Sequence, residues 1–382
     1  MKNEVSKWRV TFQRLIEYEI LNTPNLFHPE NDALLSVGKI ENARRFVVVD
    51  GNVERCYSAE IRNYFEYHGV DTKIITFPSG EENKSIENYL SILGELDSFP
   101  IHRRDEPIIA IGGGVLTDVV GFVASSYRRS VPHIKVPTTL MGYVDASLGI
   151  KAGINFNGHK NRLGSFEPPL RVLLDKSFLK TLPRRHILNG VCEIIKLAVI
   201  KDAELFSLLE LYGANSVTAR FQDDIGGSIL DRAISGMLEE LQPNLFEQNL
   251  ARKVDFGHTF SYGLETRHDA HLLHGEAVLL DIAISVLIAK ARGVLSEDDT
   301  DRIFNLISKL GIALDAGILD PVQLWQSLEE RVHHRNRLQR VPMPDGIGNC
   351  VFINDIKPDE IQSATRMLKN RMVVKHDEIR ER

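Results

Sequence analysis

Five short runs of apolar, largely β-branched residues constrain this chain more than any other feature. They are Phe46-Val47-Val48-Val49, Lys73-Ile74-Ile75-Thr76-Phe77, Pro107-Ile108-Ile109-Ala110-Ile111, His133-Ile134-Lys135-Val136 and Arg171-Val172-Leu173-Leu174-Asp175. Each is strand-length, and the first four run into turn formers: Asp50-Gly51-Asn52, Pro78-Ser79-Gly80, Gly112-Gly113-Gly114 and Pro137-Thr138-Thr139. Such continuous runs read as strands buried on both faces. Helical spacing fills the intervals to about His68, from Ser85 to Phe99 and from Val115 to Ser125. Strands that alternate with helices pair in parallel, so the first half is predicted to be a Rossmann-like α/β domain with a parallel sheet.

The rhythm changes after Pro183. Helical patterns cover 188–202, 203–212, 227–240, 257–268, 275–293, 297–310 and 321–331. A chain of 382 residues is long for one core, and the change predicts two domains, 1–183 α/β and 184–382 mostly helical. Three segments fit less well. Residues 8–22 mix strand and helix spacing. Residues 139–175 read as a long polar connector, of the kind that carries function. Val351-Phe352-Ile353 is strand-like, and the charged tail from Lys369 reads as a helix.

Composition excludes several classes. The net charge of −6 is spread over interspersed acidic and basic residues, so no concentrated basic face predicts a nucleic-acid partner. The longest apolar run, Val278 to Ala289, is too short to span a bilayer and contains Asp281. The start, MKNEVSKWRV, lacks the apolar segment of a signal peptide. Cys56, Cys192 and Cys350 have no finger or disulfide spacing. The expectation is a cytoplasmic protein without membrane association.

The chemistry-bearing residues collect at strand ends, where open α/β sheets bind ligands. Gly112-Gly113-Gly114 lies between a strand and a helix, a setting in which free N–H groups receive phosphate. It matches neither G-x-G-x-x-G nor a P-loop, and a plain tight turn is the competing reading. Asp50 and Asn52, then Glu81 and Lys84, then Thr138 and Thr139 end neighbouring strands. In the polar connector, Asp145, Lys151, Lys160 and Asn161, with Arg129 just before it, suit a phosphate or polyol; a solvated loop is the alternative.

Residues 251–277 hold four of the thirteen histidines. Glu193, His258 and His274 would suffice to bind a catalytic zinc-type ion with a position left open. The two histidines are sixteen residues apart and form no His-Glu-x-x-His, so structural histidines remain the competing reading. His268 and His271 read as surface or supporting residues.

In order along the chain stand GEENK, GGGVLTDVVGF, YRRS, VPTTL, DASLGIK, GHKNRLG, FLKTLP, NG-x-x-E-x-x-K and FGHTF…HGEA. Together they resemble the dehydroquinate synthase superfamily, the sugar phosphate cyclases, over roughly residues 44–355. The resemblance implies that NAD contacts Asp50, Asn52, Glu81, Lys84, Gly113, Gly114, Val115, Asp118, Thr138, Thr139, Asp145, Lys151, Lys160, Phe178, Thr181 and Leu182. It implies that Glu193, His258 and His274 hold Zn2+ or Co2+. It places Asp145, Lys151, Lys160, Asn161 and Lys196 around a small sugar phosphate, with Arg129 reaching in from the partner of a homodimer.

Two positions depart from members that make 3-dehydroquinate. Asp255 stands where they carry Asn, and Tyr262 where they carry a second histidine. A fixed carboxylate would repel a carboxylate substrate by about 4 kcal/mol at roughly 4 Å and an effective dielectric near 20. That implies sedoheptulose 7-phosphate, which has no carboxylate. Leu241, Asp255 and His334 (or its neighbour His333) are similar to the branch forming 2-epi-5-epi-valiolone. The implied reaction is transient oxidation by NAD, phosphate elimination, re-reduction and intramolecular aldol closure. Formation of desmethyl-4-deoxygadusol or 3-dehydroquinate are alternatives. A polyol dehydrogenase similar to glycerol dehydrogenase, or an inert sugar-binding protein, are rivals of other kinds.

Overall fold

The computed structural model describes residues 7–36, 43–265, 271–333 and 335–380, with side chains to residue 372. The five apolar runs become β2 (Arg45–Asp50), β3 (Thr72–Phe77), β4 (Ile108–Gly112), β5 (His133–Pro137) and β8 (Arg171–Leu174). With β1 (Glu19–Asn22) they form one parallel sheet in the order β1-β8-β5-β4-β2-β3. Side chains alternate across it, as the period of two requires. Val47, Val49, Ile109 and Ile111 pack on α1 (Gly51–Tyr67) through Val53, Ile61 and Phe65. Phe46, Val48, Ile108 and Ala110 pack on α2 (Ile86–Ser98) and α3 (Gly114–Ser126) through Ile92, Leu96, Leu116 and Val120.

Two ambiguous segments resolve into strands. Residues 19–22 extend the sheet edge by pairing in parallel with β8. The polar stretch 139–175 is not a loop throughout. It carries a two-stranded antiparallel sheet, β6 (Lys151–Phe156) and β7 (His159–Phe166). Strand β6 buries Ala152, Gly153 and Ile154, whereas β7 is mostly exposed. The polar composition of β7 hid the strand pattern. The two cross where Gly153 meets Gly164, and a Cβ on Gly153 would lie 2.6 Å from the Leu163 carbonyl oxygen.

The helical half contains α4 (Arg184–Ile200), α5 (Ala203–Thr218), α6 (Asp224–Leu241), α7 (Ser261–Glu265), α8 (His274–Ala291), α9 (Glu297–Lys309), α10 (Pro321–His333) and α11 (Pro358–Arg380). A hairpin of β9 (Val341–Pro344) and β10 (Cys350–Ile353) lies among them. Helix α8 is the centre: it is buried on all sides from Ala277 to Ala289 and packs on α4, α11 and α7. The apolar run 278–289 is therefore a core helix. Among the described residues no helix is long and apolar enough to cross a membrane. The predicted helix 257–268 is helical only over Ser261–Glu265 among its described residues; His268 lies outside them. Gly257 has φ +77°, a left-handed turn that interrupts a helix. The carboxylate of Asp281, buried inside α8, accepts from the amides of Phe260 and Ser261 and so starts α7. That bond explains an aspartate inside an apolar helix.

Candidate active site

A cleft of about 1540 Å³ runs along the carboxyl ends of the strands and the facing ends of the helices. On the sheet side its wall is built by turns. Asp50 caps α1, accepting from the Asn52 amide at 2.8 Å and the Ser79 hydroxyl at 2.7 Å. The triple glycine bends β4 into α3 with close neighbours on each residue. A Cβ on Gly113 would lie 3.0 Å from Thr139 Cγ2, and one on Gly114 would lie 2.9 Å from Ala146 Cβ. No side chain caps α3, so its first amides face the cleft. A bare helix start in a cradle that side chains would fill suits a pyrophosphate.

Asp50, Asn52, Glu81, Lys84, Gly113 and Gly114 line this wall, with Val115, Asp118, Thr138 and Thr139. Phe178, Thr181 and Leu182 close one end, and Tyr57 ties Thr181 in place at 2.9 Å. Lys84 is buried and spans to Asp118 at 2.7 Å and Asn161 at 2.5 Å. The β6–β7 hairpin brings Lys151, Lys160 and Asn161 to the same space as Asp145. Lys151 pairs with Glu247 at 3.2 Å, and Lys160 with Glu265 at 2.9 Å.

On the helical side three candidate ligands converge from α4, the 256–260 turn and the first residue of α8. One donor atom each of Glu193, His258 and His274 lies within 4.8 Å of the others. His258 Nε2 is 4.0 Å and His274 Nε2 3.5 Å from Glu193 Oε1. The opposite nitrogens are engaged: His258 Nδ1 with the Phe256 carbonyl at 3.1 Å, and His274 Nδ1 with Glu265 at 3.1 Å. Each ring therefore donates from Nδ1 and turns Nε2 inward toward Glu193, the arrangement of metal-ligating histidines. Glu193 is 0 % exposed; Lys196 abuts its Oε2, while Oε1 accepts no well-aligned hydrogen bond and faces both Nε2 atoms. A buried carboxylate oxygen left so is costly unless a cation completes it. These residues fit a divalent metal.

Lys196, one turn from Glu193, abuts Glu193 and lies 3.7 Å from Asp145. Burial opposes its charge, but Glu193 and Asp145 outweigh burial and hold its pKa above the ordinary lysine value. Burial likewise pushes Glu193 up, and Lys196 and His274 more than reverse it. Burial, then Lys196, pushes His258 down to about 3. Burial opposes the charge on His274 too, but Glu265 and Glu193 raise it to about 10. The triad thus has the Lys196 ammonium group against it.

Other expected residues stand apart from the cleft wall. Asp255 is 5 % exposed, does not line the cleft and sits in a cluster of guanidiniums: Arg252, Arg331 at 3.1 Å and Arg335 at 2.7 Å. Burial raises its pKa, yet the three arginines hold it far below the usual carboxylate range. Repulsion of a substrate carboxylate needs an unpaired charge, and three guanidiniums leave none. Arg331 also donates to the His258 carbonyl oxygen, so the cluster clamps the ligand turn. Leu241 packs against the helical core beside Gly149 and does not reach the wall. Arg129 is exposed and absent from the cleft of its own chain. His334 lies outside the described residues.

Sequence reasoning missed Glu265 and Asn189, and noted Tyr262 only as a departure without giving it a role. Asn189 on α4 accepts the Gly275 amide at 2.7 Å, which fixes the start of α8 and thereby His274. Tyr262 lines the cleft and meets His159 of the hairpin at 3.3 Å. The available signal for Glu265 was chemical: metal histidines usually have a carboxylate or carbonyl on the second nitrogen.

Comparison with known proteins places this geometry. Residues 74–189 match the 3-dehydroquinate synthase N-terminal family, and residues 190–353 the 3-dehydroquinate synthase C-terminal family. A 2-epi-5-epi-valiolone synthase of Streptomyces albus is 49 % identical over 94 % of this chain and 90 % of its own length. One from an Actinoplanes species is 46 % identical over 94 % of this chain and 92 % of its own. A solved structure of the 2-epi-5-epi-valiolone synthase from Streptomyces hygroscopicus subsp. jinggangensis 5008, with NAD+ and Zn2+ bound, superposes with a TM-score of 0.91. It is 41 % identical and covers 95 % of this chain and 100 % of that one.

Proposed function

The chain belongs to the 3-dehydroquinate synthase family, and from that membership we propose that it is a sugar phosphate cyclase, using NAD and Zn2+ or Co2+, that converts sedoheptulose 7-phosphate to 2-epi-5-epi-valiolone with release of phosphate. One observation carries the reading: the two histidines of a triad fit for a metal and a glycine cradle fit for a dinucleotide line the same cleft. Relatives at 46–49 % identity named for that activity support the choice of product.

Bound in the cleft, NAD would carry a hydride from the sugar and back, and the metal would polarise sugar oxygens. The chain supplies the rest. Glu193, His258 and His274 orient the reacting end against the Gly113–Gly114 wall. Lys196, charged and buried beside the triad, stabilises negative charge that develops on oxygen as the proton beside the ketone is lost. Lys160 and Lys151 offer ammonium groups to the leaving phosphate, with Asn161 next to them. Lys196 and Lys160 are largely withdrawn from bulk water, where their charges would count for less, whereas Lys151 is exposed at the cleft mouth.

We further propose a homodimer in the cytoplasm. Trp8, Val10, Phe12 and Leu15 are 85–95 % exposed on one segment without helix or strand; burying such side chains against a second copy supports pairing. Arg128, Arg129 and Ser130 all have positive φ, a strained turn that presents Arg129 outward. That supports a role for Arg129 in the partner's cleft. Three free cysteines suit a reducing compartment.

The test is direct. Protein, sedoheptulose 7-phosphate, NAD and Zn2+ should release phosphate and give the carbocycle by NMR, with no accumulation of NADH. Bulk NADH from simple polyols without phosphate release would favour a dehydrogenase. Turnover of the 3-dehydroquinate precursor instead of the sugar would overturn the product assignment.

A further inference from the structure

Glu265 is the last described residue of helix α7 and has no part in the cyclase scheme above. Its side chain is 9 % exposed, and its two oxygens point to different structures. Oε1 faces Nδ1 of His274 at 3.1 Å, in the helical half. Oε2 accepts from Lys160 Nζ at 2.9 Å, on the β6–β7 hairpin of the sheet half. No other described contact joins the candidate metal ligands to the hairpin lysine through one side chain.

We propose that Glu265 is a positioning residue that sets the metal ligand His274 and the anion-facing Lys160 at once, and so keeps the metal and phosphate ends of the cleft in register. The inference rests on the metal reading of the triad. Each oxygen does one job. Oε1 accepts the Nδ1 proton, which leaves Nε2 as the ligand nitrogen and fixes the ring plane; a carboxylate there also makes the ring a stronger ligand. Oε2 anchors a flexible four-carbon chain that would otherwise wander. His258 has only a neutral carbonyl in the corresponding place, so the charged support falls on His274 alone. Tyr262, three residues earlier on the same helix, touches His159 at 3.3 Å, so α7 meets the hairpin at two adjacent points. Asp281 of the core helix α8 holds the amides of Phe260 and Ser261 at the start of α7, which gives Glu265 a rigid base.

The experiment measures equilibrium affinity for Zn2+ and for Co2+ by competition with a chromophoric chelator, and records the Co2+ absorption bands. The proteins are the full chain, Glu265→Gln, Glu265→Leu and Lys160→Gln, with melting of the metal-free proteins as control. Glu265→Leu removes both bonds and is expected to weaken metal binding about 10- to 100-fold and shift the Co2+ bands. Glu265→Gln keeps an acceptor for Nδ1 without the charge and is expected to fall between. It also carries the test if the leucine variant does not fold. Lys160→Gln removes only the far partner and is expected to leave metal affinity unchanged while raising KM for the sugar phosphate. Glu265 variants with lowered melting but unchanged metal affinity and Co2+ bands would make the residue a plain tie between the halves, and overturn the inference. A wild-type chain that binds neither ion would instead sink the metal reading itself.

Discussion

Replacing Asp255 by Asn separates two accounts of one residue. Its charge, in sequence terms, belongs to the substrate pocket and excludes carboxylates. In the structure it is the anion of a buried cluster, with Arg252, Arg331 and Arg335 around it and only 7 % of its side chain exposed. Asn keeps the shape and an acceptor oxygen but leaves three guanidiniums, each under 15 % exposed, with Glu247 as the remaining anion against Arg252. Removing one partner of a buried ion pair costs about 3–5 kcal/mol, a large part of the ~5–15 kcal/mol that holds a folded protein. At roughly 2 °C per kcal/mol for a chain this large, the melting temperature should fall by about 6–10 °C. Because Arg331 also holds the His258 carbonyl, metal affinity should fall with it. Thermal and urea unfolding, with zinc titration, measure both. An Asp255→Asn protein that melts with the wild type and turns over the 3-dehydroquinate precursor would refute the structural account and restore the selective one.

Two further outcomes are expected. His133 is fully buried, neither ring nitrogen has a partner, and burial with the neighbouring Lys135 lowers its pKa to about 3 from 6.5. The unfolded chain therefore binds the extra proton between those values, and stability falls as pH drops through that window. From pH 8 to 5 the loss is about 2 kcal/mol. Metal-free His133→Leu should lose correspondingly less in urea unfolding at the two pH values; an equal loss would refute the assignment. For the segment of Trp8 to Leu15, light scattering should find a dimer that Trp8→Ser with Phe12→Ser dissociates, each aromatic withdrawing about 150–250 Å² of contact. A wild-type monomer at micromolar concentration, or an unaltered dimer in the variant, would count against it.

The legible parts of the chain were those governed by near neighbours. The strands β2 to β5 and β8 appeared where apolar β-branched runs met turn residues, and their ends carried Asp50, Lys84, Gly113 and Thr138 to the cleft. Less legible were β1, four residues whose pairing lies in distant β8, and β7, whose exposed face gives it no apolar stripe. The helix predicted over 257–268 failed because a left-handed Gly257 and a carboxylate on another helix, Asp281, decide where α7 begins.

Residue pattern along the chain was enough for the alternation of strand and helix, for the turn residues at the strand ends and, through the ordered motifs, for the candidate ligands Glu193, His258 and His274. These follow from local sterics, side-chain period and residue chemistry, which act over a few positions along the chain. Which groups meet was settled by the packing of distant segments. It buried Asp255 among three arginines, set Glu265 between His274 and Lys160, and left Arg129 on the surface of its own chain. Those outcomes depend on which distant groups share a low-dielectric space, and a charge there is defined by its partners rather than by its position in the sequence.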